Sequence, residues 1–413
     1  MHSAAADRMP IKPLIPLCLA AFAGFLNLFG MNPFFVDIAQ DTGSTVSLVG
    51  YSSTAALLMT ALSGAIIGPI AHRVGTRRTL VVGIVVAAAG AAATALAMNY
   101  GGLILGRLLA GVGGSVTGGV TIGMAALIYE GRQRQRALAL VTSSMAMAVV
   151  VGIFLMTTMA EPWGWRGAFL ILGAALLFTA ALNQFMLDRD EQAEEKPAAS
   201  GFRTLIDAYR PIVSHKPLQR LLASCMMPPA VINGATAYVG AFMLTQHDVS
   251  LRMVGLIFTA IGATYVVGNL LAGNLRGWQP HVVFSAGVFL MGLFWFAGYL
   301  APAPPLLVAV LFSLATLAGG VCWVVLLSMV ADRTPANVGT AMVLTSSLHS
   351  LGAAGGIALS AGLLGVSGYW AIGAGVFAVA IIAAGLGWVG PPVKRPEEAG
   401  HRVAARQRLA RQE

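Results

Sequence analysis

The sequence predicts an all-α membrane protein in which twelve transmembrane helices form two pseudo-symmetric six-helix bundles. Three observations lead to this prediction. Hydrophobic residues make up 57% of the 413 residues and charged residues only 10%, whereas a soluble domain carries about 25% charged residues. The chain contains twelve apolar runs of the length that crosses a bilayer as a helix, about 20 residues. One long polar stretch divides these runs into two sets of six.

The apolar runs follow one another with short polar connections, and each is interpreted as one helix. They cover residues 14–36, 46–70, 79–98, 102–129, 137–160, 166–187, 219–246, 252–275, 281–300, 305–331, 337–364 and 367–389. The polar stretch begins with DRDEQAEEK at Asp188. The predicted domains are an N-terminal bundle at 1–187, a cytoplasmic central loop at 188–218, a C-terminal bundle at 219–390 and a basic cytoplasmic tail at 391–413.

The basic residues fix the predicted orientation. If the N-terminus is cytoplasmic, only Arg166 and Arg252 of the 25 Lys and Arg residues face the other side, and Arg107 lies within a run. Because cytoplasmic loops are enriched in Lys and Arg, both termini are predicted to be cytoplasmic. The net charge of +9 is then assigned to anionic lipid headgroups rather than to nucleic acid. The short loops favour a bacterial inner membrane, and we expect a multi-pass monomer.

The two sets of six runs contain matching sequence features at corresponding positions. Gly50 and Gly255 each precede a second glycine by 18 positions, and the tripeptide Thr-Ser-Ser occurs at 142–144 and at 345–347. The two matches have offsets of 205 and 203 residues, about half the chain. Such agreement indicates parallel six-helix repeats, which are typical of two-lobed transporters.

A short basic stretch between the second and third runs carries a family resemblance. GPIAHRVGTRR, from Gly68 to Arg78, resembles the signature Gly-x-Leu-Ala-Asp-Arg-x-Gly-Arg-Arg/Lys of the major facilitator superfamily. RLLAGVGG, which begins at Arg107, is similar to that family's Arg-x-x-x-Gly-x-Gly element. WGWRGAF, which begins at Trp163, resembles the start of helix 6 in the drug-efflux and arabinose-efflux branch. The resemblance covers nearly the whole chain.

The resemblance implies a major facilitator fold and secondary active transport by alternating access. The predicted function is the proton-coupled export of a small organic solute, with a small-molecule substrate and protons as partners. One alternative is an importer or uniporter of a small organic anion on the same fold. Another class, a membrane sensor or lipid-modifying enzyme, is disfavoured because the chain lacks a phosphate-binding loop and a metalloprotease motif. We expect no enzyme activity, no cofactor and no metal.

The basic stretch is also the centre of a predicted cytoplasmic gate, in which charged pairs form in one state and break in the other. In the family an aspartate stands where this chain has His72, so other acids must pair with Arg73. The fifth run also lacks the proline that antiporters of this branch carry near the position of Gly152, which leaves the direction of transport open. The predicted gate residues are Gly68, His72, Arg73, Gly75, Arg77, Arg78, Glu130, Arg136 and Asp332.

Two ionisable residues lie clearly within the apolar runs, where a charge is costly and indicates function. Three roles are open for Arg107: it binds an anionic substrate, it is part of a proton relay, or its side chain extends to the outer surface of the membrane. Three roles are also open for His349: it binds substrate, carries a proton or forms a hydrogen bond to another helix. The position equivalent to His349 in the first six-helix repeat, its repeat partner, is Ala146. No Asp or Glu lies deep in a run, which favours neutral or anionic substrates. Further pathway candidates are Asn27, Asn32, Asn233, Tyr238, Tyr265, Trp323 and Asp37.

Overall fold

The computed structural model describes residues 10–129, 131–187, 216–272, 275, 278–300, 303–333 and 338–388. Every regular element in these ranges is a helix, as the composition predicts. The predicted central loop 188–218 and tail 391–413 lie outside the described residues, except that a helix already begins at Lys216. The remaining domain boundaries stay predictions.

Twelve helices of the described residues correspond one to one to the twelve predicted runs. The first lobe consists of α1 (Leu14–Asp41), α2 (Val46–Val74), α3 (Thr76–Ala95), α4 (Tyr100–Ile128), α5 (131–163) and α6 (165–186). The second lobe consists of α7 (216–246), α8 (Leu251–Ala272), α9 (Pro280–Leu300), α10 (Pro305–Arg333), α11 (Val338–Ser367) and α12 (Tyr369–Gly387).

By length and hydropathy alone, ten segments of the described residues qualify as membrane spans. Two causes explain the difference from twelve. Gln133–Met186 counts as one segment, although the chain reverses at Gly164, whose φ of 68° interrupts the helix. The helix Met227–Gln246 is not among the ten, because its prolines and polar side chains lower its mean hydropathy.

The predicted basic turn is much tighter than the sequence suggests. α2 continues to Val74 and α3 begins at Thr76, so Gly75 alone connects them. Gly75 has a φ of 101°, a conformation that glycine adopts without a steric penalty. The arginines of this stretch therefore lie on helix ends rather than in a loop. We call the membrane face that carries Gly75 the basic side and the other face the opposite side.

Small residues bring helices of the first lobe into close contact. A Cβ added at Gly106 of α4 would lie 2.5 Å from the backbone nitrogen of Thr94 in α3, and one at Gly113 would lie 2.5 Å from the Cα of Ala87. Membrane helices associate through such packing, since lipid supplies no hydrophobic driving force between them. A hydrogen bond from the Asn27 amide to the carbonyl of Ala87, at 3.0 Å, adds α1 to this core.

Candidate functional site: a cavity between the two lobes

The lobes meet along a seam in the half of the bilayer nearer the opposite side. At α2 and α11, Ser47 donates a hydrogen bond to the carbonyl of Ala361 at 2.5 Å. At α5 and α8, the Thr259 hydroxyl donates to the carbonyl of Val150 at 2.7 Å. Val150 belongs to a π-helical turn at Ala148–Gly152, which presents that carbonyl to the other lobe.

The seam is closed most tightly where α7 meets α1 and α2. The ring of Tyr238 is fully buried and packs edge-on against Phe35, with 5.5 Å between ring centroids. Its hydroxyl lies directly against Gly50, and a Cβ at position 50 would lie 2.7 Å from the ring carbon Cζ. A Cβ at Gly240 would lie 2.7 Å from the Cα of Pro33. No side chain fits at these glycines while the lobes touch, so the seam closes the opposite side.

A cavity lies between the lobes beside this seam, and both lobes contribute to its wall. It contains about 910 Å³ of empty space, part of it continuous with solvent. The lining residues are Phe25, Phe29, Asn32, Ala146, Val149, Ile153, Pro228, Pro229, Ile232, Asn233, Thr236, Phe258, Ile261, Gly262, Tyr265, Thr316, Trp323 and His349.

The contacts between the lobes indicate that the cavity is closed towards the opposite side. Ser47 and Gly50 lie near the end of α2 at the opposite side, and their partners Ala361 and Tyr238 lie nearer that side than the lining residues His349 and Thr236 on the same helices. Towards the basic side, Thr142 and Ser143 of α5 and Ser347 of α11 are exposed. These residues belong to the two Thr-Ser-Ser repeats and are not among the cavity lining residues.

His349 is the lining residue of the described chain that carries an imidazole, a group that can both donate and accept hydrogen bonds. Its ring contacts Trp323 edge-on, with 4.7 Å between ring centroids. Its Nδ1 atom is buried without a hydrogen-bond partner. The interhelical hydrogen bond that the sequence left open as an alternative for His349 is therefore not made by Nδ1 in the described part of the chain. Ala146, its repeat partner, lines the cavity from the other lobe.

The structure also brings Asn32, Asn233, Tyr265 and Trp323 into the cavity wall. Asn233 donates a hydrogen bond from its amide to the carbonyl of Pro229 at 2.9 Å, one turn earlier. The prolines that the sequence predicts to kink α7 follow a break at residues 225–226, between the helices Lys216–Ser224 and Met227–Gln246.

Arg107 lies away from the cavity lining. Its side chain is completely buried, and its two terminal nitrogens donate to the carbonyls of Asn27 at 2.7 Å and Leu28 at 2.6 Å. These carbonyls end the first helical segment of α1, Leu14–Phe29, and lack intrahelical partners there. The guanidinium caps this segment, a position that the helix dipole favours for a cation. The side chain does not reach the outer surface, and its role on the pathway stays a prediction.

Three other pathway candidates also lie outside the lining. Asn27 is buried against α3, and Tyr238 is part of the seam. Asp37 is partly buried in the part of α1 nearer the opposite side, one turn before Asp41. Their roles in transport stay predictions, but none of them is in position to contact a molecule in the cavity as the structure stands.

The predicted gate is only partly described. Arg77 donates to the carbonyl of Gln184, which lies near the end of α6 within the same lobe. Arg136 and Asp332 are exposed at the basic side. Glu130 lies outside the described residues, as do the surroundings of Gly68 and the side chains of His72 and Arg73. The predicted pairing of arginines with Glu130 and Asp332 therefore stays a prediction, as does the role of Arg78, which is exposed on the first turn of α3.

Sequence reasoning missed several lining residues, chiefly Phe25, Phe29, Thr236, Phe258 and Thr316. One signal was available, because Thr236 follows Asn233 by three positions and so shares its helix face. The phenylalanines gave no signal, since an aromatic residue in a membrane helix faces lipid, a neighbour or a cavity according to the rotation of the helix.

The arrangement suits reversible binding of a small molecule. A cavity with mostly apolar walls and a few convergent polar groups is typical of ligand sites. The lining residues of the described chain include no Asp, Glu, Lys or Arg. The wall offers hydrogen bonds and apolar contact, but no fixed charge and no set of metal ligands.

Comparisons with known proteins agree with this architecture. The family model described as the Major Facilitator Superfamily matches residues 17–254 and 232–411. The chain is 13% identical to a solved bacterial homologue of the human lysosomal transporter Spinster in an inward-facing and unoccupied conformation. The TM-score is 0.74, and the match covers 92% of this chain and 97% of that one. At this identity the likeness shows the fold.

Relatives are found by sequence as well. The chain is 32% identical over 158 residues to Azole resistance protein 1 of Saccharomyces cerevisiae, a match that spans 38% of this chain but only 26% of the yeast protein. It is 28% identical over 311 residues to Transcription regulatory protein OpdE of Pseudomonas aeruginosa, covering 74% and 75% of the two chains. It is 24% identical over 268 residues to AraJ of Escherichia coli, covering 64% and 66% of the two chains.

Proposed function

The chain belongs to the Major Facilitator Superfamily, and on this premise we propose that it exports a small organic solute in exchange for protons. As a member of that family it is a multi-pass secondary transporter that binds a small molecule within the membrane, and it is not an enzyme. The proposal adds the direction, the coupling ion and the solute class. It also places both termini in the cytoplasm of a bacterial cell, with a monomer in the inner membrane.

The cavity is the observation that carries the proposal. It is built by both lobes, and because the lobes touch towards the opposite side at Ser47 and Gly50, we assign its access to the basic side. Because cytoplasmic loops are rich in Lys and Arg, the basic side is assigned to the cytoplasm. A solute then enters from the cytoplasm and leaves after the seam opens and the basic side closes, which is alternating access about a fixed central site.

Proton coupling is assigned to His349. It lies in the wall of the cavity, in contact with Trp323, so a proton and the solute compete for the same place. When the cavity faces the more acidic exterior, protonation of the imidazole disfavours the bound solute. When the cavity faces the cytoplasm, the proton is released and solute binds again. Each ligand shifts the equilibrium between the two states only through its differential affinity for them.

Flux measurements test this function. The purified protein is reconstituted into proteoliposomes that contain a pH-sensitive dye and have an acidic interior. A panel of drugs, sugars and organic acids is then added outside. We expect at least one compound to make the interior more alkaline in the presence of the protein. His349→Ala is expected to be inserted normally but to lose the pH dependence of solute flux. Thr142→Ala, a polar-to-alanine change at an exposed position, serves as the matched control.

Two results would contradict the proposal. Solute flux that is unaffected by the pH gradient removes proton coupling and leaves a uniporter. A His349→Ala variant with the wild-type pH profile removes the assignment to His349.

A sensor is the second candidate, because one relative is named a transcription regulatory protein. A sensor binds the solute without moving it across the membrane. Binding of a compound to the purified protein, together with no flux of that compound into proteoliposomes, would favour the sensor over the exporter.

A further inference from the structure

We propose that the solute is electrically neutral and two-sided, with an aromatic or aliphatic ring system at one end and a hydroxyl or amide group at the other. The second lobe holds the polar end and the first lobe holds the apolar end. The inference rests on the proposed function only in taking the cavity between the lobes as the binding site. It names the chemical class and the orientation of the molecule that fits there.

The absence of fixed charge in the wall argues for a neutral solute. No Asp, Glu, Lys or Arg is among the lining residues of the described ranges. The buried guanidinium of Arg107 is occupied by the carbonyls of Asn27 and Leu28 and does not face the cavity. A charged group that leaves water for such a site has no partner of opposite sign, and its desolvation is costly. Anions and cations are therefore both disfavoured.

The two walls of the cavity differ in chemistry. From the first lobe the lining consists of apolar residues with one amide, namely Phe25, Phe29, Asn32, Ala146, Val149 and Ile153. The rings of Phe25 and Phe29 lie side by side, with 4.6 Å between centroids and 36° between their planes. Offset or tilted aromatic surfaces of this kind favour contact with another ring. This wall suits the apolar end of the solute.

The wall from the second lobe carries most of the hydrogen-bonding groups. They are Asn233, Thr236, Tyr265, Thr316, Trp323 and His349. Because the repeat partner of His349 is Ala146, the first lobe has a methyl group where the second has an imidazole. The second-lobe wall also has apolar residues, among them Ile232, Phe258 and Ile261, but it differs from the first-lobe wall by its hydrogen-bonding groups. A solute with two unlike ends matches both walls.

Two polar atoms of this second wall are buried without partners, Thr236 Oγ1 and His349 Nδ1. A threonine in a helix ordinarily bonds a carbonyl of the preceding turn, so the free hydroxyl of Thr236 is unusual. Leaving a buried polar atom unpaired costs about 1–3 kcal/mol, and a ligand that pairs with it once the side chain turns towards the cavity recovers this energy. A hydroxyl or amide suits both atoms because it donates and accepts hydrogen bonds.

A matched series of naphthalene compounds tests the class. The four probes are 1-naphthalenemethanol, which is neutral and polar, 1-methylnaphthalene, which lacks the polar group, 1-naphthoate and 1-naphthylmethylammonium. Binding to the purified protein in lipid nanodiscs is measured by equilibrium dialysis, with empty nanodiscs subtracted for lipid partitioning. We expect the alcohol to bind about tenfold or more tightly than either ion, the ratio that corresponds to 1.4 kcal/mol.

Variants of the two walls test the orientation. Thr236→Val keeps the shape of the side chain and is expected to weaken binding of the alcohol about fivefold to tenfold, the effect of one hydrogen bond. Binding of 1-methylnaphthalene is expected to stay unchanged. His349→Leu is expected to act in the same way, and His349→Asn, which retains hydrogen-bonding atoms, is expected to restore part of the loss. Phe25→Ala is expected to weaken all four probes alike.

The outcomes separate this proposal from the transport function. Tighter binding of the naphthoate or the ammonium compound, or no binding of the alcohol up to its solubility limit, would overturn the class. Equal losses for the alcohol and 1-methylnaphthalene in Thr236→Val would overturn the orientation. Selective binding of the alcohol without its flux into proteoliposomes would support the class and contradict the exporter.

Discussion

Gly50 offers the most direct test of how the two lobes close. It lies on α2 in the first lobe, directly against the hydroxyl of Tyr238 from the second lobe. A Cβ at position 50 would lie 2.7 Å from the Tyr238 ring carbon Cζ and closer still to its oxygen. Gly50→Ala therefore overpacks the seam, and overpacking of a well-filled site costs about 1–3 kcal/mol.

This cost applies only while the seam is closed, because the two residues belong to different lobes and separate when the seam opens. A difference of 1–3 kcal/mol between two states changes their ratio by about 5-fold to 150-fold. We therefore expect Gly50→Ala to shift the protein from the state described here towards one that is open on the opposite side. Transport should slow, because one state of the cycle becomes less populated.

Distance measurements between spin labels can detect this shift. Met98 and Leu306 are 77% exposed, lie at the opposite side and belong to different lobes, so each can be replaced by a labelled cysteine. The background variant lacks Cys18, Cys225 and Cys322, the native cysteines. Gly50→Ala should increase the share of long distances, and Tyr238→Leu added to it should reverse the change by making room for the methyl group.

Gly123→Ala is the matched control, because Gly123 is exposed and a Cβ there meets nothing within 4 Å. A distance distribution in Gly50→Ala that is identical to those of the wild type and the control would refute the account of the seam. The same conclusion would follow if Tyr238→Leu failed to reverse the shift.

Three further predictions concern arginines. Arg107→Met should lower the free energy of unfolding by about 3 kcal/mol or more, because two charged hydrogen bonds of about 1.5–3 kcal/mol each are lost. Arg107→Lys, which keeps the charge, should lower it less. An unchanged melting temperature for Arg107→Met in detergent would contradict the capping role. Arg166 donates to the carboxylate of Asp41 at 3.3 Å and to the carbonyls of Ala95 and Ala97, at and just after the end of α3, at 2.7 Å each. Asp41→Asn should therefore cost under about 1 kcal/mol, as for other exposed pairs, and Arg166→Ala clearly more; equal melting temperatures would argue against this ranking. Arg73→Ala should insert normally but slow transport about tenfold, equivalent to 1.4 kcal/mol in a gating equilibrium, and a wild-type flux in liposomes would remove Arg73 from the gate.

Some site residues followed from the sequence and others did not, for physical reasons. His349 was identified because an ionisable residue is rare and costly in the middle of a membrane helix, and the structure places it in the cavity wall. Arg107 was identified for the same reason, but the structure places it against the end of a helical segment of α1. The free-energy cost of burying an ionisable side chain indicates that the side chain needs a polar partner. It does not indicate whether that partner is a ligand or a backbone carbonyl.

The sequence by itself determined the number of helices, their order and the division into two lobes, because hydrocarbon admits only helices with satisfied backbones and a run of about 20 apolar residues has one way to cross it. The tertiary structure alone decided which faces of those helices meet. It showed that α2 and α3 are joined by Gly75 alone, that Tyr238 closes the seam and that Phe25 and Thr236 face the cavity. These facts depend on how each helix is rotated about its axis, and in a helix that is apolar on nearly every side the sequence carries little information about that rotation.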